Sequence, residues 1–327
     1  MLTLRSFALR KITKRPWNET SSLKRLGVLL GLLLSTTAIA VSVGLNGDVP
    51  ARPKISGIAF VRIKITDTKA AQGFYNGVLR TPELKTGCFG PSAECLFVNI
   101  TQQIDLTKTD APSTGRQIDS VGLFTSDVQR LRKYLAARGL NPGQLNSRSM
   151  VTWFQINDPE NHVLEFLQLN GSGIGSSVSG GPPLAGKLIH AGWVVKDREV
   201  MDKFYRDVLG FRLYWQGGMK DDRADWVSMQ LPDGTDWIEY MLNVPADASK
   251  HLLGVMNHIA LGVPSVQKTA EQLKRNSVKL TEEPKIGRDG KWQLNLYDPD
   301  GTRVELMEFT PVEKPCCSEF TGTHPRP

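Results

Sequence analysis

From residue 55 onward the chain alternates short runs of β-branched and aromatic residues with single amphipathic stretches. FVRIKITD, VLEFLQL, HAGWVVKD, DWIEYML and VELMEF read as strands, broken by Asp/Pro/Gly turns. The stretch from Val266 to Lys274 has the spacing of a helix with one apolar face. Such a unit opens with a strand, crosses a helix and closes on short strands, a βαβββ pattern. Ahead of it, residues 26–45 (LGVLLGLLLSTTAIAVSVGL) carry no charge at all. The run from Asn170 to Pro183, NGSGIGSSVSGGPP, can build neither core nor helix.

The two stretches flanking that Gly/Ser/Pro run repeat each other. FVRIKITD leads to Phe74-Tyr75, as HAGWVVKD leads at the same spacing to Phe204-Tyr205. VGLFTSDVQRLRKYLAARG matches IALGVPSVQKTAEQLKRNS, and Asp158-Pro159-Glu160 matches Asp298-Pro299-Asp300. The expected fold is α+β, with four βαβββ units paired into two tandem domains, each a curved sheet around a cleft. The domains are expected at residues 55–169 and 186–312, with a linker at 170–185 and a flexible Pro-rich tail at 313–327.

Charge changes the picture only at the N-terminus. The net charge is +7, but Arg5, Arg10, Lys11, Lys14, Arg15, Lys24 and Arg25 face one acid there, Glu19, and the remainder is nearly balanced. No nucleic-acid partner is therefore inferred. A basic front, an apolar middle and Ala38-Ile39-Ala40 make residues 1–45 an export signal, either a cleaved signal peptide or a membrane anchor through residues 26–45. The folded part is expected outside the cytoplasm, periplasmic or extracytoplasmic, touching a membrane only through that segment. In an oxidising compartment Cys88 and Cys95 can close a short loop.

Candidate chemistry concentrates in the second repeat. His190 and His258 each open the first strand of a unit, and Glu239 and Glu305 sit among apolar neighbours in the last strands of those units. A charged Glu on a buried strand is costly unless a cation offsets it. Two imidazoles and two carboxylates suit one divalent ion: Ni, Zn, Co, Fe or Mn.

HAGWVVKDREVMDKFYRDVLGF resembles the opening motif of glyoxalase I and its relatives in the vicinal oxygen chelate (VOC) superfamily, which also holds the bleomycin resistance proteins and extradiol dioxygenases. NHIALGV and YDPDGTRVELME are similar to the family's fourth-unit opening and closing strand, while Ala191 and Met201 depart from the glyoxalase opening. The resemblance implies two tandem VOC domains and places the four metal ligands on His190, Glu239, His258 and Glu305. In the first domain Phe60, Ser120 and Glu165 stand at the positions of His190, His258 and Glu305, so that domain is expected to lack a full metal set.

The resemblance further implies a lyase or isomerase that chelates a small substrate through vicinal oxygens and moves a proton with Glu239 or Glu305. One alternative is a ring-cleaving extradiol dioxygenase using His190, His258 and Glu305. Against it, Asn295 and the Ile286-Gly287-Arg288 stretch stand where that group has Tyr and His. Another alternative is a non-catalytic ligand-binding protein of the bleomycin-resistance type. Weaker candidates are an aromatic pocket from Trp193, Trp215, Trp226, Trp237 and Trp292, a soft-metal site from Cys316, Cys317 and His324, and anion anchors at Arg206, Arg223 and Arg288. No phosphate loop, nucleophile elbow or dinucleotide fingerprint occurs. Monomer and homodimer are both compatible with two-domain members.

Overall fold

The computed structural model describes residues 51–84, 88–89, 94–148, 150–171 and 182–327. Residues 1–45, expected above to be an export signal, and most of the expected linker lie outside them. Residues 48–327 form one compact unit.

The first half runs β1 (Ile55–Ile65), α1 (Thr68–Gln72), β2 (Glu94–Asn99), β3 (Gln102–Lys108), β4 (Ile118–Thr125), α2 (Val128–Ala136), β5 (Asn146–Arg148), β6 (Val151–Asn157) and β7 (Val163–Leu169). The second runs β8 (Lys187–Val194), α3 (Arg198–Asp202), β9 (Arg212–Gly217), β10 (Trp226–Gln230), β11 (Trp237–Met241), α4 (Lys250–Met256), β12 (His258–Gly262), α5 (Val266–Arg275), β13 (Lys285–Ile286), β14 (Trp292–Tyr297) and β15 (Arg303–Met307). They form two curled mixed sheets, ordered β2-β3-β1-β4-β7-β6-β5 and β13-β14-β15-β12-β8-β11-β10-β9. Two units per sheet are what the repeat predicted; three are βαβββ, and the first shows two strands after its helix among the described residues.

At the middle of each sheet the opening strands of two sister units run antiparallel, β1 with β4 and β8 with β12. Each opening strand also pairs in parallel with the closing strand of its own unit, β1 with β3, β4 with β7, β8 with β11 and β12 with β15. Alternation then sorts side chains. Leu188, Ala191, Ile238, Tyr240, Ile259 and Leu306 enter a core shared by both halves, while Ile189, Trp237, Ala260 and Met307 belong to a separate cluster.

Asp67 and Asp197 cap α1 and α3 by accepting from the backbone N–H groups of Ala70 and Val200. Each helix continues into a π-helical turn, Gly73–Val78 and Lys203–Val208, that carries the Phe-Tyr pair. Those tyrosines cross between the halves. Tyr75 Oη donates to Asp298 Oδ2 at 3.0 Å, and Tyr205 Oη donates to Asp158 Oδ2 at 3.1 Å. The exchange repeats elsewhere: Thr66 N–H donates to Asp300, Lys196 N–H to Glu160, Ile58 N–H to Asp236 and Leu188 N–H to Gln102. The paired Phe-Tyr and Asp-Pro motifs are thus the hinge of a pseudo-twofold interface.

The tail corrects one expectation. Residues 313–327 lack regular structure but are held in place against β9 and β10. Gln216 N–H donates to Ser318 Oγ, Trp215 Nε1 to Cys316 O, Thr321 N–H to Tyr214 O and Gln230 Nε2 to Thr323 O. A Pro-rich composition precludes helix, yet edge strands offer unpaired groups that such a segment satisfies. Disulfides join Cys88 to Cys95 and Cys316 to Cys317.

Candidate metal centre

His190 on β8, Glu239 on β11, His258 on β12 and Glu305 on β15 converge because their strands are neighbours and their registers coincide. Gly192 faces both Glu239 and His258, and Ala260 faces both His190 and Glu305. Small residues at the facing positions leave room for the rings: a Cβ on Gly192 would come within 2.2 Å of His258 Cε1.

His190 Nε2 and His258 Nε2 stand 3.0 Å apart. Glu239 Oε2 lies 3.2 Å from His258 Nε2 and 3.8 Å from His190 Nε2, and Glu305 Oε2 lies 3.8 Å from each. Ligands held at about 2.0–2.2 Å around one cation are about 3–3.5 Å from one another; the two closest pairs, at 3.0 and 3.2 Å, have that spacing, and the 3.8 Å pairs are a few tenths of an ångström wider. His190, His258 and Glu305 are fully enclosed; Glu239 is the one partly open to the cavity.

The electrostatics favour a cation too. Burial holds both imidazoles well below their usual pKa, aided at His190 by His258, Arg303 and Lys291, and at His258 by Arg303. Both rings are therefore neutral at pH 7. His258 Nδ1 lies 3.2 Å from the Met256 carbonyl, which assigns its proton to Nδ1 and leaves the Nε2 lone pair aimed at the cluster. Burial pushes the Glu305 carboxyl up to about 7, and Glu239 and Asp289 add to the rise while Arg303 and Lys291 oppose it. His190, His258 and Glu305 offer ligand atoms all within 4.8 Å of one another, with Glu239 Oε2 beside both imidazoles, and this set fits a divalent cation.

The site opens on a cavity of about 350 Å³, within the range of small-molecule pockets. Tyr214, Trp215, Trp226, Trp237 and Phe320 form its aromatic wall. Three of the five expected tryptophans are therefore there. Trp193 instead stacks on His162 at 4.5 Å in the interface between halves, and Trp292 is not in the lining. Of the anion-anchor candidates only Arg288 lines the cavity; Arg223 pairs with Asp225, and Arg206 with Asp202 and Asp207. The soft-metal candidate is not assembled: Cys316 and Cys317 are bonded to each other, and His324 Nδ1 lies 2.6 Å from Tyr214 Oη.

Two residues escaped the sequence reading. Asp289 lines the cavity, buried, its carboxyl pushed up to about 6 by desolvation despite the pull of Lys291. Lys291 is wholly buried, with Nζ 4.8 Å from the Trp237 ring centre, 5.0 Å from Phe320 and 3.2 Å from Tyr214 Oη. Burial pulls its pKa down. Both lie in the RDGKW turn, which reads as an ordinary exposed hairpin signal; Tyr214, Trp237 and the tail's Phe320 together enclose Lys291.

A curled tandem βαβββ architecture with two buried imidazoles beside two carboxylates that line one cavity defines a class, and comparisons with known proteins name it. Residues 187–306 match the Glyoxalase/Bleomycin resistance protein/Dioxygenase superfamily. The lactoylglutathione lyase of Haemophilus influenzae is 27% identical over 124 residues, 37% of this chain and 92% of that protein. The mitochondrial methylmalonyl-CoA epimerase of Mus musculus is 29% identical over 132 residues, 38% and 73% of the two chains. A probable chloroplastic lactoylglutathione lyase of Arabidopsis thaliana is 28% identical over 135 residues, 40% of this chain but only 38% of that protein's length. Among solved structures, the 2,3-dioxygenase LapB from Pseudomonas sp. KL28 superposes with a TM-score of 0.60 at 16% identity, covering 85% and 96% of the chains. Homoprotocatechuate 2,3-dioxygenase from B. fuscum gives 0.59 at 18%, covering 79% and 73%. Residues 187–306 thus carry the match to the vicinal oxygen chelate superfamily, and the dioxygenase likeness extends the shared fold over both halves.

Proposed function

We propose that this protein is a divalent-metal-dependent VOC enzyme of the lyase/isomerase kind, with His190, Glu239, His258 and Glu305 as ligands. The observation that carries the reading is the coincidence of ligand-like spacing with four buried, electron-rich atoms. Bound there, the cation would stabilise an oxyanion beside the reacting carbon of a substrate that presents neighbouring oxygens. Glu239 is placed to exchange the proton. Both carboxylates line the cavity, Glu239 is the more exposed of the two, and Ser228 Oγ donates to its other oxygen, Oε1, at 3.2 Å, fixing the carboxylate's orientation. Asp289 is a second acid–base group on the same wall. The aromatic wall excludes water, which strengthens these interactions.

The dioxygenase reading draws on the two-sheet likeness, which is one of fold alone. Against it, Asn295 on β14 faces Glu305 on β15 and donates to Glu282, and Gly287 and Arg288 line the cavity edge, where that group has Tyr and His. Export through residues 1–45, as signal or anchor, belongs to the same proposal, with the site extracytoplasmic and the chain a monomer or homodimer.

Elemental mass spectrometry of the full-length protein beside a His190→Ala/His258→Ala variant tests the ligand set: about one tightly held Ni, Zn, Co, Fe or Mn per chain, lost in the variant, is expected. Solvent-deuterium incorporation into α-hydroxycarbonyl compounds, measured beside oxygen uptake with catechols, separates the classes. Negligible metal in both proteins after reconstitution would refute the enzyme readings.

A further inference from the structure

The strand registers assign a counterpart in the first half to every position of the candidate centre. β1 pairs Phe60 with Gln103 and Arg62 with Asp105, as β8 pairs His190 with Trp237 and Gly192 with Glu239. β4 brings Ser120 opposite Arg62 and Glu165 beside Gly122, as β12 brings His258 opposite Gly192 and β15 sets Glu305 beside Ala260. The four ligand positions thus fall on Phe60, Asp105, Ser120 and Glu165. Asp105 keeps a carboxylate at the place of Glu239, a correspondence visible only once the register is known.

Arg62 reaches all four. Its Nη1 donates to Ser120 Oγ at 2.9 Å and to Glu165 Oε1, its Nη2 lies 3.4 Å from Asp105 Oδ2, and its guanidinium carbon sits 4.8 Å over the Phe60 ring. Arg62 is buried, as are both carboxylates. Volume is exchanged along with charge. In the second half a glycine makes room for the imidazole opposite it; in the first, a serine makes room for the arginine opposite it. Phe60 in turn lies against Gly122, where a Cβ would come within 2.3 Å of its ring.

We propose that the first half holds a built-in cation site, in which the Arg62 guanidinium occupies the place of the divalent ion and renders that half closed and metal-independent. The inference rests on the ligand assignment proposed above for the second half. A guanidinium is a planar, permanently charged group suited to two carboxylates, and it neutralises buried charge without an exchangeable ion. The first half thereby keeps the stabilising effect of a central cation and gives up the open coordination position that chemistry requires.

The test rebuilds the site in the full chain. In a His190→Ala/His258→Ala background, which silences the second half, Phe60→His, Arg62→Gly and Ser120→His together restore two imidazoles and two carboxylates. Mass spectrometry after loading with Zn or Mn is expected to show about one ion per chain where the background holds almost none. In parallel, Arg62→Met is expected to lower the melting temperature of the otherwise unaltered chain by about 10 °C, and Arg62→Lys by clearly less. A folded rebuilt protein that takes up no metal at millimolar concentration, or an Arg62→Met protein as stable as the parent, overturns the proposal. Should the rebuilt protein not fold, the Met and Lys pair decides. Metal absent from the unaltered chain but present in the rebuilt one counts against the second-half reading alone.

Discussion

Replacing Gly192 by alanine perturbs the candidate centre without removing a ligand. The added Cβ would stand 2.2 Å from His258 Cε1, 2.6 Å from Nδ1 and 3.0 Å from Nε2, whereas ordinary contact begins near 3.4 Å. The ring must retreat by about 1 Å or rotate, while metal–ligand distances tolerate about 0.2 Å. His258 therefore leaves the coordination shell, and metal affinity is expected to fall by at least about 100-fold, roughly 2.7 kcal/mol. Overpacking a buried site costs about 1–3 kcal/mol of folding stability as well, so Gly192→Ala alone lowers both readouts. Adding His258→Ser separates them, because Ser opposite a larger residue is the arrangement found at Ser120 and Arg62: stability should recover and affinity should not. Competition of the metal against a fluorescent chelator measures the first quantity, and thermal melting in EDTA the second. Unchanged affinity in a correctly folded Gly192→Ala protein would refute the claim that His258 Nε2 is a ligand.

Three further outcomes follow from the geometry. With metal removed by EDTA, Glu305→Gln should be more stable than the parent at pH 8. The folded carboxyl is raised to about 7 from an ordinary 4.5, so the parent's stability declines as pH climbs through that window; the difference should shrink below pH 4.5 and level off above 7, as equilibrium denaturation across pH would record. Tyr75→Phe and Tyr205→Phe should each cost about 1.5–3 kcal/mol in urea unfolding, since each deletes a buried hydrogen bond to a carboxylate; a loss confined to one of them would contradict the pseudo-twofold interface. Deleting residues 313–327 should lower the melting temperature and quicken hydrogen exchange at β9, where the tail holds Tyr214, Trp215 and Gln216; unaltered exchange there would mean the tail is not a wall of the site.

Much of this was legible in the sequence because a repeat supplies its own control. The matched spacing from strand to Phe-Tyr, and the matched Asp-Pro turns, gave four units before any coordinates, and the same symmetry singled out His190 and His258 from the other histidines. What stayed hidden depends on register or on long-range packing. Asp105 could not be matched to Glu239 from spacing alone, because the loops preceding β3 and β11 differ in length. Arg62 carries no signal in the sequence that sets it apart from Lys64 on the same strand. Lys291 and Asp289 sit in a turn that local rules call exposed, and the tail that helps enclose Lys291 has a composition that local rules call disordered. Trp193 was a fair aromatic candidate by sequence, but strand alternation turned it away from the cavity and toward the partner half.

The exchange of tyrosines and aspartates bears on how the polypeptide is made. While the ribosome has released only the first half, Tyr75 and Asp158 lack their partners across the interface, because Asp298 and Tyr205 are still to be translated. A phenol destined for complete burial must wait in water, and the apolar face that both sheets share waits with it. The first half is thus a template whose surface is finished only by the second, and the chain has cause to stay unfolded or chaperoned until the second half is made. Severing the linker after folding should leave two fragments that still cling together, whereas fragments synthesised apart would each meet solvent with the other's binding surface exposed.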